Sequence, residues 1–462
     1  MQSDRAIIGM TYIPHTDAER AEMLGAIGVG ALEDMFADLP DKVLFPDLKL
    51  PEGCSEMEVS RELRDLAAGN VTMHDMPTFL GAGVYNHYVP AAVDHVLRRS
   101  EFYTSYTPYQ PELSQGMLQA MFEYQSMICA LTDMEVSNAS HYDGATALAE
   151  AVLLALRAAR GKRRKVIMSS AVHPHYRDVV RTYLCGTDAS IRGEGSESAD
   201  ATSLIPLLDR DTAVFVLQNP NFLGQFEDVR GLADAVHEAG ALLIVVADPI
   251  SLGLFQPPGA YGADIVVADG QPLGIAPSFG GPHLGIFATR NDQIRRLVGR
   301  LVGETTDGDG RRGYVLTLST REQHIRRARA TSNICTNAAL TALAASVYLA
   351  LLGKKGLRKV AELCHHKAHY AAGRIGSIAG LAVNPQAPAK PFFKEFVVAL
   401  PCDVGEANRV LLADHGIIGG YDLGRNYRPW EKHMLLAVTE TNTRDEIDRL
   451  ADGLRDVAGR HG

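Results

Sequence analysis

Apolar positions along the chain recur with two spacings. LLIVVA at 242–247, DIVVA at 264–268 and LGIFA at 284–288 are short, nearly continuous apolar runs separated by Gly- and Pro-rich connections. Runs of that length and kind predict strands buried on both faces. Two more fall at 165–169 and 213–218, and helical spacing appears near 201–208, 228–239 and 291–302. Alternation of strands and helices at this interval predicts an α/β domain with a doubly wound, mostly parallel sheet.

Ahead of that region the spacing is helical. A helix capped by Thr16 places Leu24 and Ile27 on one buried face, a second covers 30–37, and a third starts at the capping box Ser55–Glu58. Further helices are predicted at 91–99, 118–131, 145–160 and 337–352, the last ended by Gly353. Residues 303–313, GETTDGDGRRG, read as a flexible charged loop. Strands at 396–400 and 434–438, with a closing helix from the capping box Thr443–Glu446, make a smaller α+β region. The expected organisation is an N-terminal helical extension at 1–70, a large α/β domain at 71–335, and a linking helix with a small C-terminal domain at 336–462.

Composition narrows the function. The formal charge of −10 and a pI near 5.9 argue against general affinity for nucleic acid or an anionic membrane. Six cysteines lack any metal-like spacing, which predicts reduced thiols and no metal site. There is no leader-like N-terminus, and no uninterrupted apolar run approaches the ~18 residues of a membrane span, so the expected setting is the cytoplasm.

The chemistry gathers at strand ends, where open α/β sheets bind ligands. Asp248 ends one run, and Asp269-Gly270-Gln271 ends the next. This strip resembles the active site of fold-type I pyridoxal-phosphate (PLP) enzymes, in which an Asp pairs with the pyridine nitrogen and a later lysine forms the Schiff base. Gln271 stands where that lysine is expected, and no lysine occurs between Lys165 and Lys354. An amide nitrogen is delocalised into its carbonyl and forms no imine. Asp143-Gly144 opens a helix where such enzymes hold the phosphate, yet Asp143 is itself well placed as an N-cap and would compete for the same donors. His173-Pro-His175-Tyr176 reads as a polar loop at the ligand edge rather than a metal site. The loop from Tyr103 to Gln115 reads either as a contact surface or as a loop packed on its own subunit. Arg321, Arg326, Arg327 and Arg329 form either an anion-binding cluster or a solvated helix face.

Longer stretches resemble one family: IPHTDAERAEML at 13–24, FLGAGVYNHYVP at 79–90, YTPYQPELSQGMLQAMFEYQ at 106–125, NASHYDGATALAEA at 138–151, and REQHIRR with ATSNICTN at 321–337. They are similar to subunit 1 of the decarboxylating glycine dehydrogenase, the P-protein of the glycine cleavage system. Where the family usually reads Arg-Glu-Lys-Ala, this chain has Arg327-Ala328-Arg329-Ala330, which removes the acidic partner of any ion pair there. The resemblance implies an obligatory, lysine-free subunit paired with a PLP-bearing subunit 2 in a heterotetramer. Together they would decarboxylate glycine and pass the aminomethyl group to the lipoyl arm of the H-protein. It also implies a remnant pocket of Gly144, Thr146, His173, Asp248 and Gln271. Tyr103, Tyr106, Tyr109, Gln110 and Arg326 are then the candidate contributors to the partner's site.

Two other readings of the residues stay open. One is a stand-alone regulatory protein whose degenerate pocket binds an amino acid or PLP. The other is a self-sufficient enzyme using Lys390 or Lys394. Asp248 itself reads as either a retained ligand-pairing carboxylate or a strand-end cap.

Overall fold

Side chains of β5 (Leu242–Ala247) alternate between two cores, which explains why its sequence is apolar throughout. Leu243, Val245 and Ala247 pack with Ala345, Tyr348 and Cys364 of the Ala339–Gly376 helix. Ile244 and Val246 pack with Leu148, Ala151 and Val152 of the Gly144–Ala158 helix. A strand covered on both faces has no polar side to show.

The computed structural model describes residues 15–44, 49–195, 200–330, 332–334, 336–427 and 430–461. Cys335 and the residues before His15 lie outside that set. The chain divides into Met1–Val71 and Thr72–Gly462.

The second unit contains the main sheet. Its strands are β1 (Val136–Ser137), β2 (Lys165–Met168), β3 (Ser190–Arg192), β4 (Thr212–Asn219), β5, β6 (Ile265–Asp269) and β7 (Gly285–Thr289), in the order β1-β7-β6-β5-β4-β2-β3. β2 to β6 are parallel, while β7 and β1 close one side antiparallel. The order reverses between β2 and β4, and the carboxyl ends there define the ligand crevice of such a sheet.

Several expectations for this unit are corrected. Residues 291–302 form no helix beyond the turn Asn291–Gln293, because Gly299 at φ +80° breaks the backbone before Leu301 starts a strand. Residues 303–313 belong to a hairpin of β8 (Leu301–Thr306) and β9 (Arg312–Thr317), turned by the Asp307 carboxylate, which accepts from the N–H groups of Asp309 and Arg311. His173 is the N-cap of a helix, Pro174–Leu184, rather than part of a loop. Gly353, at φ +56° and ψ −174°, ends the first part of the Ala339–Gly376 helical run as expected, and a second helix follows directly on its far side. The whole run is long and apolar enough to cross a membrane by composition. Its apolar face is spent in the protein core, on Ala342, Leu343, Tyr348 and Ala368.

A second sheet has the order β10 (Ala382–Val383), β11 (Glu395–Ala399), β13 (His433–Ala437), β12 (Tyr421–Asp422), all antiparallel. Helices Val404–His415 and Arg444–His461 cover it with Leu411, Ile447, Leu450 and Leu454. The strap at 77–88 is bonded to this sheet at Phe79, whose C=O accepts from Ala437 N–H.

Met1–Val71 carries the capped helices Asp17–Ile27 and Glu56–Ala68 and a 3-10 turn, Leu32–Phe36, in place of the helix expected at 30–37. None of its described residues is buried, so Leu24 and Ile27 form no buried face.

Candidate functional site

Gln271 is 1% exposed and uses every polar atom of its side chain. Its Oε1 accepts from Tyr85 N–H at 2.9 Å, and its Nε2 donates to Tyr85 O at 3.0 Å and Ile275 O at 2.6 Å. The amide therefore acts as a two-way clamp on the backbone of the 77–88 strap. Asp269 turns the chain into this position by accepting from Gln271 N–H at 2.9 Å.

Above the end of β5, Asp248 Oδ1 caps the following turn at Ile250 N–H, 2.9 Å away. Its Oδ2 lies 2.7 Å from Nζ of Lys394, which is 1% exposed. Lys394 also stands 3.5 Å from the Tyr85 ring centroid and 3.2 Å from His87 Nε2. His87 Nδ1 in turn meets Glu440 at 2.7 Å. Next to Lys394, Glu395 accepts from Ala82 N–H at 2.7 Å and from the Tyr85 hydroxyl at 2.8 Å. Asp248 is thus both a strand-end cap and one half of a buried ion pair. Lys390 is engaged elsewhere, with Glu227 and Asp200.

At the mouth of the Gly144–Ala158 helix, Asp143 Oδ1 accepts from Thr146 N–H at 2.7 Å, and Asp269 Oδ2 accepts from Gly144 N–H at 3.2 Å. Gly144 has no room for a side chain, since a Cβ there would collide with the Tyr176 hydroxyl. His283 Nδ1 sits 3.1 Å from Asp269, and that bond raises its pKa. His173 donates its backbone N–H to Gln218, places Nε2 2.8 Å from Ala82 O, and stacks on Tyr176. In the Tyr103–Gln115 segment the Tyr109 hydroxyl accepts from Arg300 of the same chain at 2.9 Å, and Tyr103, Tyr106, Tyr109 and Gln110 are all exposed. Arg326 is exposed on a single helical turn and donates to Thr320 O.

The model of the glycine cleavage system P-protein family matches residues 10–454. The chain belongs to that P-protein family. A probable glycine dehydrogenase (decarboxylating) subunit 1 from Thermomicrobium roseum is 53% identical over 451 residues, covering 97% of this P-protein chain and 100% of the relative. One from Geobacillus kaustophilus is 53% identical over 448 residues, covering 96% and 98%. Among solved structures, an inhibitor-bound glycine decarboxylase (P-protein) of the glycine cleavage system superposes with a TM-score of 0.87 at 48% identity, covering 97% and 100%. A sphingosine-1-phosphate lyase from Burkholderia pseudomallei, at 17% identity, covers 92% and 95% with a TM-score of 0.64 and shares the fold. The architecture is that of fold-type I, the fold of PLP-dependent enzymes.

The residues of this P-protein chain do not fit PLP. Its aldehyde needs an amine, but Gln271 offers an amide whose donors are taken. The pyridine nitrogen needs a free carboxylate, but Asp248 is paired with Lys394. The phosphate needs N–H donors, but those of Gly144 and Thr146 are engaged by carboxylates, whose charge would repel it. The cavity left beside Asp248 measures about 40 Å³.

Sequence reasoning named Lys394 only within a competing reading. It did not bring forward Tyr85, His87, Glu395 or Glu440. The signal for Lys394 was a charged Lys-Glu pair at the start of an otherwise apolar strand.

Buried imidazoles give this P-protein chain an acid-sensitive fold. Burial pushes His141 down to about 3, and burial pushes His173 down to about 4 despite the Ala82 carbonyl. A depressed histidine contributes stability above its unfolded value near 6.5 that is lost as pH falls toward the folded value. Glu395, raised by burial to about 7, works in the opposite sense between pH 7 and its unfolded value. Glu150 and Glu227, also raised by burial, and His283, raised by Asp269, act with Glu395, while His87, His365 and His433, lowered by burial, act with His141 and His173. With five lowered histidines against these four groups, the urea midpoint is expected to fall from pH 6.5 to 4.5, and His173→Asn should flatten that slope. An equal slope in the variant would show that His173 does not contribute.

Proposed function

We propose that this chain is the lysine-free subunit of a two-subunit P-protein, obligatory for activity and inactive alone. Its partner, subunit 2, carries the PLP, whose pyridine ring takes up the electrons left when glycine loses its carboxyl group as carbon dioxide. The remaining aminomethyl group passes to one sulfur of the lipoyl arm of the H-protein, and the lipoyl disulfide is reduced. The pair works in the cytoplasm as a dimer of heterodimers.

The observation that carries this reading is the Lys394–Asp248 pair beside a fully engaged Gln271. The chain keeps the architecture of the catalytic fold while its own side chains engage the groups that would hold the cofactor, although a cavity of about 280 Å³ remains open beside Asp143, His173 and Asp269. A site engaged in this way suits a scaffold that packs against an active copy across a pseudo-twofold interface. Glycine decarboxylation, assayed by release of carbon dioxide with lipoylated H-protein, is expected only when purified chain and subunit 2 are mixed. Activity of either subunit alone equal to that of the mixture would overturn the proposal.

Tyr106 is 74% exposed on a proline-stiffened segment, with a side chain that loses little entropy on contact. In this reading it reaches the partner's site, and Tyr106→Ala is expected to lower the decarboxylation rate of the mixture about tenfold, the loss of roughly 1.4 kcal/mol of contact. Assembly, measured by sedimentation, should be unaffected. A rate equal to that of the unaltered complex would exclude the direct role.

A further inference from the structure

A second cavity, of about 490 Å³, is walled by one stripe of the Gly144–Ala158 helix and by the segment around Ser332. Thr146, Glu150, Leu153 and Arg157 recur at helical spacing along that wall. The polar groups there are incompletely matched. Glu150 is 6% exposed, its Oε1 accepts the Ser332 hydroxyl, and its Oε2 has no partner. His141 is fully buried, stacked on Phe287, and neither of its ring nitrogens has a hydrogen-bond partner. Arg157 makes no side-chain hydrogen bond or ion pair among the described residues, only a longer-range attraction to Glu150.

A buried polar atom left unpaired is costly, and native interiors leave few of them. Three such atoms around one cavity mark a place where something else supplies the partners. A carboxylate with a free oxygen calls for a donor, best a cationic one. A guanidinium without a partner calls for an anion. Glu150 and Arg157 are seven residues apart on the helix, about 10 Å between their Cα atoms. That is a span across which both side chains can hold one small molecule. The cavity volume falls in the range of small-ligand sites, and Leu153 and Ile334 supply an apolar patch.

We propose that this cavity binds a small zwitterion of the α-amino-acid class. The ammonium lies against Glu150, the carboxylate against Arg157, and an apolar side chain against Leu153 and Ile334. The site shares only Thr146 with the residues described at the helix mouth, includes none of Asp248, Gln271 or Lys394, and stands whether or not the chain pairs with a second subunit.

Isothermal titration of the full chain tests this, with leucine as the probe. The comparison ligands are 4-methylpentanoate, which lacks the ammonium, and 3-methylbutylamine, which lacks the carboxylate. Leucine is expected to bind saturably, and each comparison ligand at least tenfold more weakly. Glu150→Gln and Arg157→Gln should each weaken leucine at least tenfold. Arg157 is exposed, so its variant keeps the fold and retains the urea midpoint even if Glu150→Gln does not. Absence of saturable leucine binding would overturn the proposal. So would an unchanged affinity in Arg157→Gln, or equal binding of either comparison ligand.

Discussion

Replacing Lys394 by methionine is expected to lower the free energy of unfolding by about 3–5 kcal/mol, because it leaves a largely buried carboxylate without its counter-charge. The ammonium is 2.7 Å from Asp248 and packs on the Tyr85 ring, so one substitution removes an ion pair and a cation–π contact together. Adding Asp248→Asn should recover much of the loss, since two neutral side chains need no counter-charge. Urea unfolding of the single and double variants measures both effects. A Lys394→Met variant as stable as the parent would mean that solvent reaches Asp248, and that the crevice is not filled as described.

The second large effect is expected from Gln271→Lys, the substitution that writes the missing lysine back into the chain. It leaves the Tyr85 N–H without an acceptor, at about 1–3 kcal/mol, and adds the desolvation of an ammonium at a 1%-exposed site, for a total on the order of 3 kcal/mol or more. It should not create a PLP site. Asp248 remains paired with Lys394, and Asp143 and Asp269 still occupy the helix donors. A variant that gains a stable borohydride-reducible PLP adduct at residue 271 would show that a single side chain separates this fold from a working site.

Much of this arrangement can be read from local sequence. Asp143 is an N-cap because a short carboxylate precedes an Ala- and Leu-rich run, and the bond to Thr146 N–H is local. The strands β4, β5 and β6 declare themselves by continuous apolar residues, and Gln271 by its place after β6. What escaped the sequence is either long-range or masked by charge. Lys394 reaches Asp248 from another sheet, and no periodicity within either segment encodes that meeting. The β8–β9 hairpin was hidden because charged and glycine residues replace the usual alternation toward its turn. Its Asp307 to Gly310 turn chemistry was nevertheless on the page. His173-Pro174 also carried a readable signal, since proline at the first helical position favours a helix start over a loop. The unpartnered ring nitrogens of His141 and the free Oε2 of Glu150 could not have been inferred, because orphaned atoms are a property of packing.

The most direct measurement is the visible spectrum of the purified chain incubated with PLP, before and after borohydride, alone and then mixed with a lysine-bearing subunit 2. The chain alone is expected to show no reducible adduct, and the label should appear on subunit 2 when the two are mixed. Covalent trapping of PLP on a specific lysine of the isolated chain, Lys394 above all, would contradict the account and make this chain an enzyme in its own right.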